Sequence, residues 1–186
     1  MNYKLPTLYK KLLILTLVFG PIVWLMFTDD GQRRTDTMVL WLFGEHEINM
    51  DLAALDAHFT EEELKTVYPD LDWQCREHQS SYGNHLCVSR IGIFNGIPSK
   101  YITIFFTGRH ISAMKLRYRA GNHDQFLVQL RRQLGRPDDE ARASVTAPDP
   151  EEVLQWRTPY GLVVAKRLLD SDEEPALFWL SYAQPE

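Results

Sequence analysis

Apolar side chains are concentrated near the start of the chain. The run Leu12–Phe27, LLILTLVFGPIVWLMF, contains no charged residue, and Thr16 is its only clearly polar one. A helix over this run would cover roughly 24 Å at about 1.5 Å per residue, slightly less than the roughly 30 Å of bilayer hydrocarbon. The side chains of Lys10 and Lys11 are long enough to reach from its start towards lipid headgroups. The pattern therefore predicts a transmembrane signal-anchor helix over residues 12–28.

A cleaved secretory signal is the alternative interpretation of this run. Such a signal has an apolar region of about 7–15 residues that ends in small side chains of the A-x-A kind. Here the run ends in WLMF and is followed directly by TDDG. We therefore expect the segment to remain attached and to hold the chain at a membrane through Leu12–Phe27.

Charges on either side of the run predict its orientation. Lys4, Lys10 and Lys11 precede it, and positive residues in short flanking segments stay on the cytoplasmic side. Two arginines follow the run, but three aspartates accompany them. The N-terminus is therefore expected in the cytoplasm, and the part that follows the run in the periplasm or outside the cell.

This orientation divides the chain into four parts. Residues 1–11 form a cytoplasmic tail, residues 12–28 the anchor helix and residues 29–37 a polar tether. Residues 38–186 are of ordinary size for one hydrophobic core, so they are predicted to form a single extracytoplasmic domain.

Alternation of apolar and polar residues in that domain predicts a sheet. In one segment Met114 and Leu116 alternate with Lys115 and Arg117, which gives a strand with one buried face and one wet face. Turn residues separate such segments along the chain. The predicted strands occupy residues 38–43, 73–79, 85–94, 100–106, 111–118, 153–158, 162–169 and 176–182.

Two further segments have the features of helices. The first, Asp51–Tyr68, contains TEEE, in which Thr60 and Glu63 can form a reciprocal capping box. The second, His123–Leu134, has apolar side chains every three or four residues, with Asn122 as a candidate N-cap and a glycine after its end. Strands in runs, without strict alternation with helices, predict an α+β fold. We expect an antiparallel β-meander sheet with the two helical segments packed on one face.

The charge of the chain excludes one class of partner. The formal net charge is -5, whereas nucleic-acid binders gain their affinity mainly from lysines and arginines that neutralise phosphates. We therefore expect no nucleic-acid partner. Lys115, Arg117 and Arg119 still form a basic stripe along and just beyond one predicted strand. This stripe is a candidate partner-binding surface, and a solvated sheet face is the plainer interpretation.

One cluster of side chains has the residue types of a disulfide or of a metal site. Cys75, His78, His85 and Cys87 form the pattern C-x2-H-x6-H-x-C around a predicted hairpin turn. The cysteines are equidistant from Ser81, so a loop centred there places them opposite one another, at a separation that a disulfide can close. An oxidising compartment favours that bond. The same four side chains are possible zinc ligands, although their spacing differs from that of common zinc fingers. We predict the disulfide and no resident cofactor, with the zinc set as the alternative.

Familiar catalytic motifs are missing from the sequence, including G-x-S-x-G, H-E-x-x-H and the glycine patterns of phosphate-binding loops. The acidic segment at residues 138–152 shows no periodicity and indicates no particular role. We therefore expect a membrane-anchored accessory module that binds a protein partner and assists the assembly, stability or regulation of a complex. An envelope hydrolase or metal-dependent enzyme that uses the Cys75–Cys87 region is the alternative. The remaining histidines are scattered near turns and helix ends, at His46, His58, His110 and His123.

Overall fold

The structure, a computed structural model, describes residues 7–27, 46–138, 153–170 and 173–182. The predicted strand at 38–43 and the predicted tether at 29–37 lie outside the described residues. So does all of the acidic loop except residue 138. The described residues form a mixed α+β fold with one large sheet and three helices, which confirms the predicted fold class.

Among the residues that the structure describes, there are three helices and nine strands. The helices are α1 (Thr7–Phe27), α2 (Glu61–Val67) and α3 (His123–Leu134), and a short 3-10 turn, Ala120–Asn122, leads into α3. The strands are β1 (Glu47–Ile48), β2 (Gln74–Ser80), β3 (Gly83–Arg90), β4 (Ile93–Phe94), β5 (Ile97–Thr107), β6 (His110–Tyr118), β7 (Val153–Arg157), β8 (Gly161–Lys166) and β9 (Ala176–Ser181).

The first helix coincides in position with the predicted anchor. Among the residues that the structure describes, however, no helix is at once long enough and apolar enough to cross a membrane. The predicted transmembrane span at residues 12–28 is therefore not supported by the structure.

The order of strands in the main sheet is β2-β3-β5-β6-β9-β8-β7, and all of these neighbours are antiparallel. The short strand β4 pairs with the beginning of β5, and β1 runs parallel to β4. Strands β2, β3, β5 and β6 follow one another as the predicted meander does. After α3 the order changes, because β9 and not β7 lies beside β6.

The two faces of the sheet have different roles. Inner-face side chains such as Ile104 and Met114 share one core with Leu64 of α2 and Leu130 of α3, so both short helices lie on the same face. The outer face is formed by the intervening side chains of the same strands. Its members in the centre of the sheet are Leu86, Val88, Tyr101, Thr103, Phe105, Ala113, Lys115, Arg117, Phe178 and Leu180.

Helix α3 has the bounds that the periodicity predicts. Its apolar residues Phe126, Leu127 and Leu130 are buried, and the helix ends at Gly135, whose positive φ of 85° suits a glycine. Asn122 is the N-cap residue of the helix, as predicted, but its side chain makes no capping hydrogen bond. The 3-10 turn that Asn122 closes leads the chain into the helix instead.

The first predicted helical segment was too long. Thr60 and Glu63 form the expected capping box, but the helix occupies only Glu61–Val67. Before it, the side chains of Asp51 and Asp56 accept hydrogen bonds from the backbone two residues further on, at 2.9 and 3.0 Å. These local bonds stabilise turns and compete with helical pairing, so residues 51–59 form turns and loops.

Candidate functional site

The predicted disulfide is present. Cys75 of β2 lies directly opposite Cys87 of β3 in the antiparallel ladder, with their Cα atoms 4.0 Å apart, and their Sγ atoms are bonded at 2.03 Å. Cys87 is fully buried and Cys75 is half-buried. Among the described strands β2 pairs only with β3, so the bond adds a covalent link between this strand and the rest of the sheet.

A histidine and a glutamate lie against this disulfide. His85 Nε2 is 2.9 Å from a carboxylate oxygen of Glu61 and 4.0 Å from Cys87 Sγ. His85 and Cys87 are two residues apart on β3, so both side chains point to the inner side of the sheet. Glu61 comes from the first turn of α2. The contact therefore joins a strand and a helix that are far apart in the sequence.

The start of α2 is held against β6, which fixes the position of Glu61. The backbone N–H of Ile111 donates to the carbonyl of Phe59 at 2.9 Å, and Thr60 and His110 form an isolated β-bridge. The capping box at Thr60 sets the direction in which the helix starts. The backbone contacts of the two residues that precede Glu61 therefore place it beside β6.

An open cleft of about 510 Å³ adjoins the pair. Glu61, Lys65, His85 and Arg109 are among its lining residues, and Phe106 forms part of its apolar side. The ring of Phe106 lies 6.1 Å from that of His85, centroid to centroid. Small solutes can therefore reach Glu61 and His85 from solvent.

Lys65 lowers the pKa of Glu61. Its Nζ atom lies 2.6 Å from the carboxylate, one helical turn away. The hydrogen bond from Lys65 lowers the pKa of Glu61 below its ordinary value of 4.5, burial opposes this, and the charges of Lys65 and His85 reinforce it. The carboxylate is therefore ionised at neutral pH.

The lowered pKa predicts how stability depends on pH. The carboxylate of Glu61 takes up a proton more readily in the unfolded chain than in the folded one. Its contribution to the free energy of unfolding is therefore fully present above pH 4.5 and is lost as the pH falls through the lower folded-state pKa. Glu61→Gln should remove roughly 0.3–0.5 kcal/mol of stability at pH 7, since Glu61 is one third and Lys65 one half exposed and water screens the pair. Urea denaturation between pH 3 and 7 measures this difference. Glu62→Gln, in the same helical turn, is the control, and an equal loss in both variants would contradict the prediction.

The structure brings together three of the four side chains in the predicted cysteine and histidine cluster. Cys75, His85 and Cys87 lie in one group, and Glu61 is its fourth member. His78 is exposed on β2 and lies outside this group. The sequence analysis did not select Glu61, because it stands in a run of three glutamates that is fully explained as the first turn of a helix. The contact with His85 depends on how α2 docks, and the sequence carried no signal for that docking.

The basic stripe is partly neutralised within the fold. Arg117 forms an ion pair with Glu174, and the same carboxylate accepts from Lys100 at 2.8 Å. Lys115 instead places its Nζ atom 5.2 Å from the ring centre of Phe178. Arg119 lies just beyond β6, where its backbone N–H donates to the carbonyl of Pro98 at 3.2 Å.

One of the scattered histidines is a core residue. His123 is buried, its Nδ1 atom lies 2.8 Å from the hydroxyl of Tyr118, and its Nε2 atom lies 3.2 Å from the carbonyl of Arg167. Since a carbonyl only accepts, Nε2 donates to it and Nδ1 accepts from Tyr118. Burial, with the charge of Glu173, raises the pKa of Tyr118 well above its ordinary range. The hydroxyl therefore stays protonated, and the pair ties α3 to the sheet.

Comparison with protein-family models, curated proteins and solved structures finds no match to this chain.

Proposed function

We propose that this chain is a membrane-associated accessory domain that works outside the cytoplasm and binds a partner protein on the outer face of its sheet. The observation that carries the proposal is the division of the sheet into two unlike faces. Helices α2 and α3 share the inner-face core, whereas aromatic and basic side chains of the outer face remain accessible. Aromatic residues and arginine are enriched in protein interfaces.

The outer face has a rigid apolar centre. Leu86, Phe105 and Ala113 are buried there in a small cluster of their own, away from the main core. The ring of Tyr82, from the β2–β3 turn, stacks on Phe178 with centroids 5.7 Å apart. The buried cluster supports the ring of Tyr82, which is 39% exposed and lies 5.3 Å from the ring of Phe105, centroid to centroid. An exposed ring that is already fixed before the partner arrives lowers the ordering cost of binding.

A cleft at one end of this face extends the surface. It has a volume of about 380 Å³, and its lining includes Gln74, Val88, Arg90 and Tyr101. Tyr101 is 41% exposed, although it stands in the middle of the longest strand. An exposed aromatic residue beside a cleft is a suitable anchor for a partner side chain.

The basic side chains of the outer face favour an acidic segment of the partner protein as its ligand. The charged residues at outer-face positions of the described main-sheet strands are all basic, whereas the carboxylates that pair with them come from flanking loops. Lys115 lies over Phe178, so a carboxylate of the partner could approach it from the open side. The basic side chains that share this face are Arg76, Arg90, Lys115, Arg117, Arg157 and Lys166.

Two observations support the proposed location. The disulfide Cys75–Cys87 is the form that persists in an oxidising compartment. Apolar side chains of α1 between Leu12 and Phe19 are 50–71% exposed, and consecutive residues of a helix point to all of its sides. Water does not favour that exposure, so we propose that lipid or a membrane-embedded partner covers this segment.

Fractionation of cells tests the location. The full chain should sediment with membranes after alkaline carbonate extraction, and external protease should degrade it once the outer barrier of the cell is opened. Replacing Leu13 and Leu17 with lysine should release the chain from the membrane fraction. A wild-type chain that is recovered in the soluble fraction, or that remains protected from the protease, would reject the proposed location.

Site-specific crosslinking in intact cells tests the partner surface. A photoreactive phenylalanine analogue replaces Tyr101 on the outer face in one strain, and Tyr160 in the β7–β8 turn in another. These tyrosines are 41% and 45% exposed, so they offer the probe similar access. The proposal predicts a discrete adduct from position 101 and none of that size from position 160.

Charge reversal then tests the acidic partner. In the strain with the probe at position 101, Lys115→Glu should reduce the yield of the adduct at least about tenfold, which corresponds to the loss of one favourable charge contact and the gain of a repulsive one. Arg131→Glu on α3 is the matched control, since it changes the net charge equally on the other side of the sheet. Equal adducts from both positions, or an adduct that survives Lys115→Glu, would overturn the proposal.

A further inference from the structure

The two cysteines of the disulfide belong to a group of four residues that could each offer a ligand atom to a metal ion. One ligand atom each from Glu61, Cys75, His85 and Cys87 lies within 4.8 Å of the other three. A tetrahedral zinc site uses four donors of these types, with separations of roughly 3.3–3.8 Å between them. The observed separations are 2.9 Å between Glu61 and His85 and 4.0 Å between His85 and Cys87. Small side-chain rotations would bring these donors to the distances of a metal site.

We propose that this cluster is a redox-gated metal site, which binds one divalent ion of the zinc class after reduction of the disulfide and releases it on oxidation. The ligands are Glu61, Cys75, His85 and Cys87. The site is additional to the proposed partner surface, because all four side chains belong to the other side of the sheet.

The oxidation state decides whether the site can bind. In the disulfide the two sulfur atoms are bonded to each other, so neither is a thiolate. Glu61 and His85 then remain as donors and contact one another. Two donors that already form a pair bind zinc weakly, and the oxidised form therefore holds no ion.

Reduction and metal binding balance as two steps. A protein dithiol of the thioredoxin type supplies two electrons and two protons, so the bond between Cys75 and Cys87 breaks and the dithiol becomes a disulfide. Zinc binding then displaces one proton from each thiol. His85 coordinates through Nε2 with its remaining proton on Nδ1, and Glu61 coordinates as the carboxylate.

The hairpin remains in place when the disulfide opens. Strands β2 and β3 are paired on both sides of the cysteines, at Gln74 with Val88 and at Arg76 with Leu86. The backbone thus keeps the two thiols opposite one another. The cleft beside His85 gives a metal ion a path from solvent to the ligands.

Metal titration of the purified full chain tests the proposal. Zinc is added without oxygen to oxidised protein and to protein reduced with a phosphine, and a chromophoric chelator measures the binding. Reduced protein should bind one zinc ion per chain, at least about 100-fold more tightly than oxidised protein. Cobalt in place of zinc should give the absorption bands of a tetrahedral site with thiolate ligands.

Single substitutions identify the ligands. His85→Ala and Glu61→Gln should each weaken zinc binding by the reduced chain at least about tenfold. His78→Ala is the matched control, since this histidine is on the same hairpin but outside the group; it should leave the affinity within about twofold. Circular dichroism of each reduced variant shows whether the fold is retained.

Three results would overturn the metal site. Reduced wild-type chain that binds no zinc would reject it directly. Equal binding by the oxidised chain would show that redox state does not control the site. An affinity that depends on His78 as much as on His85, or on neither His85 nor Glu61, would show that the thiols bind zinc without the geometry described for the folded chain.

Discussion

Replacement of Phe126 with alanine is expected to lower the free energy of unfolding by about 3–5 kcal/mol, the usual cost of removing a buried phenyl ring. Phe126 is 1% exposed and contacts two rings of the sheet side. Its centroid lies 4.5 Å from that of Tyr118 and 6.5 Å from that of Phe94, both in edge-to-face geometry. The ring thus packs α3 against two aromatic residues of the sheet.

Val128→Ala is the control for this prediction. Val128 is on the same helix but 45% exposed, so its truncation should change the stability by no more than about 0.5 kcal/mol. Urea denaturation followed by tryptophan fluorescence measures both variants. A loss below about 1.5 kcal/mol for Phe126→Ala would show that α3 is not packed on the core as the structure places it.

Loss of the disulfide should have the second largest effect. The bond between Cys75 and Cys87 closes a short loop, with a sequence separation of 12 residues, so the chain-entropy model gives a contribution of roughly 3 kcal/mol or slightly less. The double variant Cys75→Ala, Cys87→Ala should therefore unfold at a lower urea concentration. Because β2 pairs only with β3 in the part of the chain that the structure describes, its amides should also exchange hydrogen faster than those of β5.

A reductant provides the control for the disulfide. A phosphine should destabilise the wild-type chain in metal-free buffer to about the same extent, and it should not affect the double variant. Mass spectrometry under non-reducing conditions should find no free thiol in chain purified from the cells that produce it. Two free thiols there, or equal stability with and without the phosphine, would contradict the assignment of a stabilising bond.

Local patterns predicted the parts of the fold that depend on neighbouring residues. The capping box at Thr60 and Glu63 and the full extent of α3 follow from contacts within one helical turn. The pairing of Cys75 with Cys87 follows from the symmetry of a hairpin, whose two strands are adjacent in the sequence. Such interactions have short sequence separations, so a residue pattern is sufficient to identify them.

Residues 51–59 show where the predicted helix failed because one local interaction outweighed another. The side chains of Asp51 and Asp56 accept hydrogen bonds from the backbone two residues further on, and these turns replaced the predicted helical pairing. The tertiary structure also changed the interpretation of the basic stripe. Glu174 lies in a distant part of the sequence and forms an ion pair with Arg117, and no spacing rule connects these two residues.

The candidate site combines both kinds of information. The sequence determined that two thiols and His85 share one hairpin, because strand alternation puts His85 and Cys87 on one side of β3. The docking of α2 against β6 brings Glu61 into contact with His85 and so makes it the fourth member of the group. His78 lies outside this group. A pair that lies 24 residues apart in the sequence meets through tertiary contacts alone.

The sequence by itself determined the α+β class, the helix α3, most of the strands and the disulfide, because each depends on periodicity or on near neighbours. The tertiary structure alone decided that β9 lies beside β6, that His123 is buried, and that Glu61 contacts His85. These arrangements depend on how apolar faces from distant segments fill one core. Many strand orders bury the same faces, so the pattern along the chain does not choose between them.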